Sequence, residues 1–237
     1  MIYLLADSSL LFSPGEDGRT LAQSIRASLD DRLENKDAPT AAYIGASNRD
    51  EPAFYEIFEA AMDAASITER RMIRSRYSAM DDVCLNASDL IVLAGGDVAH
   101  GRHVMQSTGM CDVIVQRYLA GAVLVGVSAG AVQLGLEGVV DGGEVDESAR
   151  ASFETFRLVP FVIDVHDENR GWERLQERVR SRGDGARGLG IPLGGGVAYH
   201  ADHTLEPFGK PSVEYCCDGG AIHESLLIRC EDSTSHP

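Results

Sequence analysis

The short apolar run Ala122–Val125 leads directly into Gly126-Val127-Ser128-Ala129-Gly130, which is followed by Ala131. A Gly-x-Ser-x-Gly between a buried strand and a helix that opens on small residues is the pattern of a nucleophile elbow. Such a turn forces the serine into strained dihedrals and brings strand and helix so close that side chains at the two glycines would collide. The order predicts an α/β sheet with Ser128 on the sharp turn at a strand end. It also aims the first helical N–H groups, that of Ala129 included, at any oxyanion formed on a group that Ser128 attacks. Read without chemistry, the segment is a tight strand-to-helix turn with Ser128 as N-cap.

The first two-thirds of the chain agree with this architecture. Strands are predicted at Ile2–Leu5, Ala41–Ile44, Ile67–Ile73, Leu90–Leu93 and Ala122–Val125. Apolar residues at helical spacing fill Arg19–Leu33, Ala53–Ala65 and Met110–Leu119 between them, the pattern of a parallel sheet flanked by helices. From about Pro160 the pattern changes. A strand at Phe161–Val165 and a charged helix at Trp172–Arg182 precede short strands at Gly188–Ile191, Gly196–Tyr199, Ser212–Cys216 and Ala221–Arg229. Close spacing between glycine-rich turns reads as antiparallel hairpins added to the parallel core. The length of 237 residues suits a single α/β domain over residues 1–230 with a polar tail over 231–237.

The formal net charge of −16 opposes binding to nucleic acid or anionic membranes, which need Lys/Arg clusters that this sequence lacks. The acidic residues are scattered over Asp30-Asp31, Asp81-Asp82 and Asp141 to Glu147, as on a solvated surface. Cys84, Cys111, Cys216, Cys217 and Cys230 are odd in number and irregular in spacing, which points to reduced thiols rather than a disulfide framework or a zinc site. No apolar run is long enough to span a bilayer, and Met1-Ile2-Tyr3-Leu4-Leu5 lacks the basic flank of a leader, so a cytoplasmic protein is expected.

Two further segments carry chemistry. Ala94-Gly95-Gly96-Asp97 follows the strand Leu90–Leu93, and glycines at a parallel strand end let backbone N–H groups approach a ligand. The alternative is a plain turn capped by Asp97. His166 follows the strand Phe161–Val165, where it can take the Ser128 proton and return it to a leaving group. His200-Ala201-Asp202-His203 gathers metal-binding residue types in a spacing that matches no zinc motif, and a polar hairpin tip is expected there. Neither a metal nor a cofactor is expected.

Taken together, Ala94-Gly95-Gly96-Asp97, Gly126-Val127-Ser128-Ala129-Gly130-Ala131, His166 with Arg170, and Gly188-Leu189-Gly190-Ile191 occur in the order and spacing of one family. The chain resembles the serine peptidases that include aspartyl dipeptidase (dipeptidase E) and cyanophycinase, from the first strand to about Tyr215. The resemblance implies a flavodoxin-like three-layer α/β sandwich related to class I glutamine amidotransferases, which carry cysteine where this chain has Ser128. It implies Ser128 as nucleophile and His166 as general base. The N–H groups of Gly96 and Ala129 would form the oxyanion hole. Asp97 would lie at the mouth of the site, and Arg170 would hold a substrate carboxylate, which guanidinium binds bidentately.

One departure stands out. The family places an acidic residue just after the strand Gly188–Ile191, completing a triad, whereas this chain continues Pro192-Leu193-Gly194-Gly195-Gly196. Such an acid selects the histidine tautomer and stabilises the imidazolium. Glu206 is the first expected substitute and Asp202 the second, while Asp164 and Asp167 flank His166. The resemblance therefore implies cleavage of a small peptide or isopeptide next to an acidic residue through an acyl-enzyme. The alternatives are a catalytically impaired or ligand-binding member of the same fold and an amidotransferase-like partner subunit. A small peptide-like substrate is the expected partner, and a homodimer is left open.

Overall fold

The computed structural model describes residues 1–15, 17–30, 38–139 and 152–229. The first strands in chain order are β1 (Ile2–Leu5), β2 (Thr40–Ile44), β3 (Glu69–Ile73), β4 (Leu90–Leu93) and β5 (Val123–Val127). They are followed by β6 (Glu137–Val139), β7 (Ser152–Glu154), β8 (Val162–Val165) and β9 (Arg187–Ile191). The last are β10 (Gly195–Tyr199), β11 (Leu205–Gly209), β12 (Ser212–Asp218) and β13 (Ala221–Leu227). The helices are α1 (Leu21–Asp30), α2 (Pro52–Ala64), α3 (Ala79–Ala87), α4 (Val98–Ser107), α5 (Met110–Leu119), α6 (Ala129–Leu134) and α7 (Glu173–Arg182).

A seven-stranded sheet runs in the order β11-β10-β1-β5-β4-β2-β3. Strands β1 to β5 are parallel to one another in it, and the hairpin β10–β11 extends the β1 edge antiparallel. Alternation along the strands decides the layers. Tyr3, Leu5, Tyr43, Val92 and Val125 pack with Ile25 and Leu29 of α1 and Phe58 and Met62 of α2. Ile2, Leu4, Ile44, Leu93 and Leu124 point to the other face, onto Leu85, Met105, Ile114 and Leu134 of α3 to α6. The result is the flavodoxin-like three-layer sandwich that the resemblance implied, built on the helix-flanked parallel sheet expected from the strand and helix pattern. Burial of both faces explains why the inner strands read as continuous apolar runs.

The last third departs from expectation in one respect. Only β10 and β11 join the core sheet, while β8, β9, β12 and β13 form a separate four-stranded sheet in the order β13-β12-β9-β8. Within it β8 and β9 are parallel. The cause is α7, whose Leu175 and Val179, with the preceding Trp172, form a third core with Val162, Val213 and Tyr215. Gly188 and Gly190 on β9 let that face approach: a Cβ at 188 would lie 2.5 Å from Val179, and one at 190 would lie 2.8 Å from Trp172. His166 therefore ends a strand of the second sheet, not of the sheet that carries Ser128. Residues 31–33 of the expected first helix, the acidic run Asp141 to Glu147 and the tail 231–237 lie outside the described residues.

Candidate active site

Val123–Val127 is the central strand of the sandwich, and Ser128 follows it with φ 50° and ψ −111°, outside the ordinary regions for a side-chain-bearing residue. Its N–H donates to the Leu5 carbonyl at 2.8 Å, which pins the elbow to β1. The two flanking glycines are sterically required. A Cβ at Gly126 would meet Gly130 and the Ala131 nitrogen at 2.6 Å, and one at Gly130 would lie 2.2 Å from the Leu93 carbonyl oxygen. Ala129 opens α6, so its N–H has no intrahelical acceptor.

The Gly95-Gly96 turn after β4 lies against the elbow. A Cβ at Gly95 would approach the Ser128 Cβ to 3.3 Å, and Gly96, at φ +132°, passes so close to the Ser47 carbonyl that only glycine fits. Behind it, the Gln133 side chain of α6 is fully buried and donates to Ser47 Oγ at 3.1 Å and to the Val98 carbonyl at 2.9 Å. This ties the Gly96 turn and the elbow helix to one another. Asp97 is the N-cap of α4, accepting from the His100 N–H at 2.9 Å, and its side chain lines neither cavity beside Ser128. The capping alternative fits its place better than a substrate contact.

His166 reaches Ser128 across the two sheets. Its Nε2 lies 3.2 Å from the Ser128 Oγ. The residue is exposed, adopts φ 62°, and is held by its N–H to the Ile191 carbonyl at 3.3 Å. No described carboxylate makes a hydrogen bond or ion pair with its ring.

The expected substitutes for the third member are occupied elsewhere. Glu206 pairs with His200 at 3.1 Å and Arg229 at 3.7 Å. It sits on β11 opposite Ala198, three strands across from β5 (about 14 Å) and toward the amino end of β1, away from the elbow. The expectation that Glu206 orients His166 is thus corrected. Asp202 accepts from the Thr204 N–H and hydroxyl in the hairpin turn between β10 and β11. Asp164 and Asp167 face Arg174, at 3.3 and 3.6 Å.

Two carboxylates that the sequence did not single out come closer. Asp7, just past β1, lines one cavity together with Ser128 and His166. Burial pushes its pKa up, but bonds from Ser9 and the Gly194 N–H, with the nearby His166 charge, outweigh burial and hold it below the usual carboxylate range. Glu168 accepts from the Leu193 N–H at 3.1 Å, and its Oε2 is buried without a hydrogen-bond partner among the described residues. The protein thus places a carboxylate beside Leu193, where the family pattern has its acid.

Two cavities meet at Gly96, Ser128 and His166. The larger, about 500 Å³, is lined beyond those residues by Ala129 and by Arg170, Arg174 and Arg178. Arg170 is 73% exposed, with Asp167 at 3.9 Å, and so projects into the opening. Arg174 and Arg178 were not anticipated, although they stand four residues apart, the spacing that shares a face of α7; Arg170 lies in the short turn before that helix. The smaller cavity, about 340 Å³, has apolar and aromatic walls that include Leu11, Tyr43, Phe54, Ile57, Phe58 and Leu193. Its lining comes from seven separate chain segments, so no local pattern could reveal it. Cys84, Cys111, Cys216 and Cys217 are free thiols that line neither cavity.

The fold has relatives of known structure. A crystal structure of a peptidase from an acI-B1 Actinobacterium is 16% identical, with a TM-score of 0.68 over 97% of this chain and 94% of that one. A putative peptidase E protein from Listeria monocytogenes EGD-e is 15% identical, with a TM-score of 0.57 over 88% of this chain and 98% of that one. No curated protein matches significantly. The model of peptidase family S51 matches residues 9–205, most of the described core with the elbow, the Gly-Gly turn and His166, and the chain belongs to that family.

Proposed function

We propose that this protein is a serine hydrolase that cleaves a small peptide or isopeptide next to an acidic residue. The carrying observation is the 3.2 Å approach of His166 Nε2 to a strained elbow serine, beside a cavity lined by three arginines. In the first half-reaction the Ser128 Oγ attacks the scissile carbonyl carbon while His166 Nε2 takes the hydroxyl proton. The N–H groups of Ala129 and Gly96 stabilise the resulting oxyanion. The tetrahedral adduct collapses, the C–N bond breaks, and the imidazolium returns the proton to the leaving amine. Water then repeats the sequence on the ester, with His166 as base. Arg170 fixes a substrate carboxylate, and Arg174 and Arg178 extend the positive field, tempered by Asp164 and Asp167.

A second reading is favoured by the lack of any described carboxylate paired with the His166 ring: a member of the fold that binds such peptides and turns them over slowly. One experiment separates the two. A fluorophosphonate probe should label the wild-type protein and fail on Ser128→Ala, whose melting temperature should be unchanged, and aspartyl dipeptides should be hydrolysed by the wild type alone. Equal labelling of both proteins rules out an activated Ser128. Labelling without dipeptide turnover favours the slow binder.

A further inference from the structure

The smaller cavity shares only Gly96, Ser128 and His166 with the arginine-lined one: its walls belong to the α1–α2 side of the large sheet, whereas the arginines come from α7 and the turn before it. Its walls are built from the β2 side chain Tyr43 and from Phe54, Ile57 and Phe58, which share a face of α2 at helical spacing. Those walls are packed rather than loose. The Tyr43 and Phe58 rings lie 5.2 Å apart between centroids, and Tyr55 stacks on Phe58 at 5.6 Å.

The polar groups of this cavity are already engaged. The Tyr43 hydroxyl accepts from Asn48 Nδ2 at 2.8 Å, and burial pushes its pKa up to about 12, so it stays neutral. Asp7 accepts from Ser9 and from the Gly194 N–H. What remains open is apolar: Phe54 and Leu193 are each about half exposed, at 51% and 52%, and Ile57 is 37% exposed. Three large apolar side chains held open to water around a nucleophile are unfavourable unless something covers them. At about 340 Å³ the cavity is at the low end of the range of about 300–1,000 Å³ usual for small-molecule sites, which suits one residue-sized group.

We infer that this cavity is a substrate subsite for one large apolar side chain, aromatic or branched aliphatic, on the side of the scissile bond opposite the carboxylate. The inference rests on the peptidase reading above and narrows its substrate class to small peptides that pair an acidic residue with an apolar one. The shared residues Gly96, Ser128 and His166 place the bond to be cut at the junction, so both ends of the substrate are read at once.

The test uses the full chain and a matched set of dipeptides, Asp-Phe, Phe-Asp, Asp-Ala and Ala-Asp. In whichever order is cut, kcat/KM should favour Phe over Ala by at least about tenfold. In a Phe54→Ala/Ile57→Ala double variant the preference should shrink to within about threefold, through a loss of kcat/KM on the Phe peptide. Calorimetry of the same peptides on Ser128→Ala reads the subsite independently of turnover, so an inactive enzyme still decides the matter. Tighter binding of the Phe peptide, lost in the triple variant, supports the subsite even if nothing is hydrolysed. Equal affinities, no binding of either peptide, or a preference that survives removal of Phe54 and Ile57 overturns it.

Discussion

The two halves of the proposed catalytic pair are held in very different ways. Ser128 grows out of the central strand of the seven-stranded sheet, with its N–H bonded to Leu5 and its helix pressed onto Leu93 through Gly130. His166 stands exposed at the end of β8 in the smaller sheet, and a single backbone bond to Ile191 holds its main chain. Ser128 is fixed by local steric necessity, whereas His166 is fixed by how one sheet docks on the other. Changes at the elbow glycines should therefore register in stability, and changes at the end of β8 should register in chemistry alone.

The largest expected effect is at the base. His166→Asn, chosen because asparagine tolerates the left-handed backbone at φ 62°, should slow phosphonate labelling of Ser128 and any peptide turnover by about a thousandfold. Its melting temperature should match that of the wild type. Unchanged labelling would show that Ser128 is activated by some other group and that the pairing across the sheets is incidental.

Gly130→Ala should show the opposite profile. Its Cβ would lie 2.2 Å from the Leu93 carbonyl oxygen, so strand and helix must separate. The expected loss is about 3 kcal/mol, near the top of the usual overpacking range. That corresponds to a fall of about 6–12 °C in melting temperature for a chain of this size, measured by calorimetry. A variant that melts with the wild type would mean that the elbow is not tightly packed.

The smallest effect tests the link between the two regions. Asp7, beyond β1, accepts from the Gly194 N–H at 2.7 Å in the turn that leads from β9 of the small sheet to β10 of the large one. Its folded pKa lies below its unfolded value, so its contribution to stability is present above about pH 3.9 and is lost as pH falls through the folded value. Asp7→Asn should melt below the wild type at neutral pH, and the gap should close as the pH is lowered past that point. A gap independent of pH would assign the effect to geometry rather than to charge.

Much of the core was legible because its signals are local. Leu90–Leu93 and Met110–Leu119 carry their periodicity within single segments, and their bounds agree with β4 and α5. The elbow was legible for the same reason, since Gly126 and Gly130 answer a clash between neighbours in sequence. The arginine row was only half visible: its four-residue spacing can be read from the chain, but its aim toward Ser128 cannot. Asp7 carried no signal, since it lies 121 residues before Ser128 and meets the site only because β1 pairs with β5.

By itself the sequence determined the α/β architecture and the tight strand-to-helix turn at Ser128, because hydrophobic period and turn sterics act over a few residues. Only the tertiary structure decided that His166 belongs to a second sheet and that Glu206 faces His200 and Arg229. It alone set an arginine-lined and an aromatic cavity on either side of Ser128. The physical reason is that strand partnership and the walls of a cleft are fixed by contacts between segments distant in the chain, and such contacts leave no periodicity in any one of them.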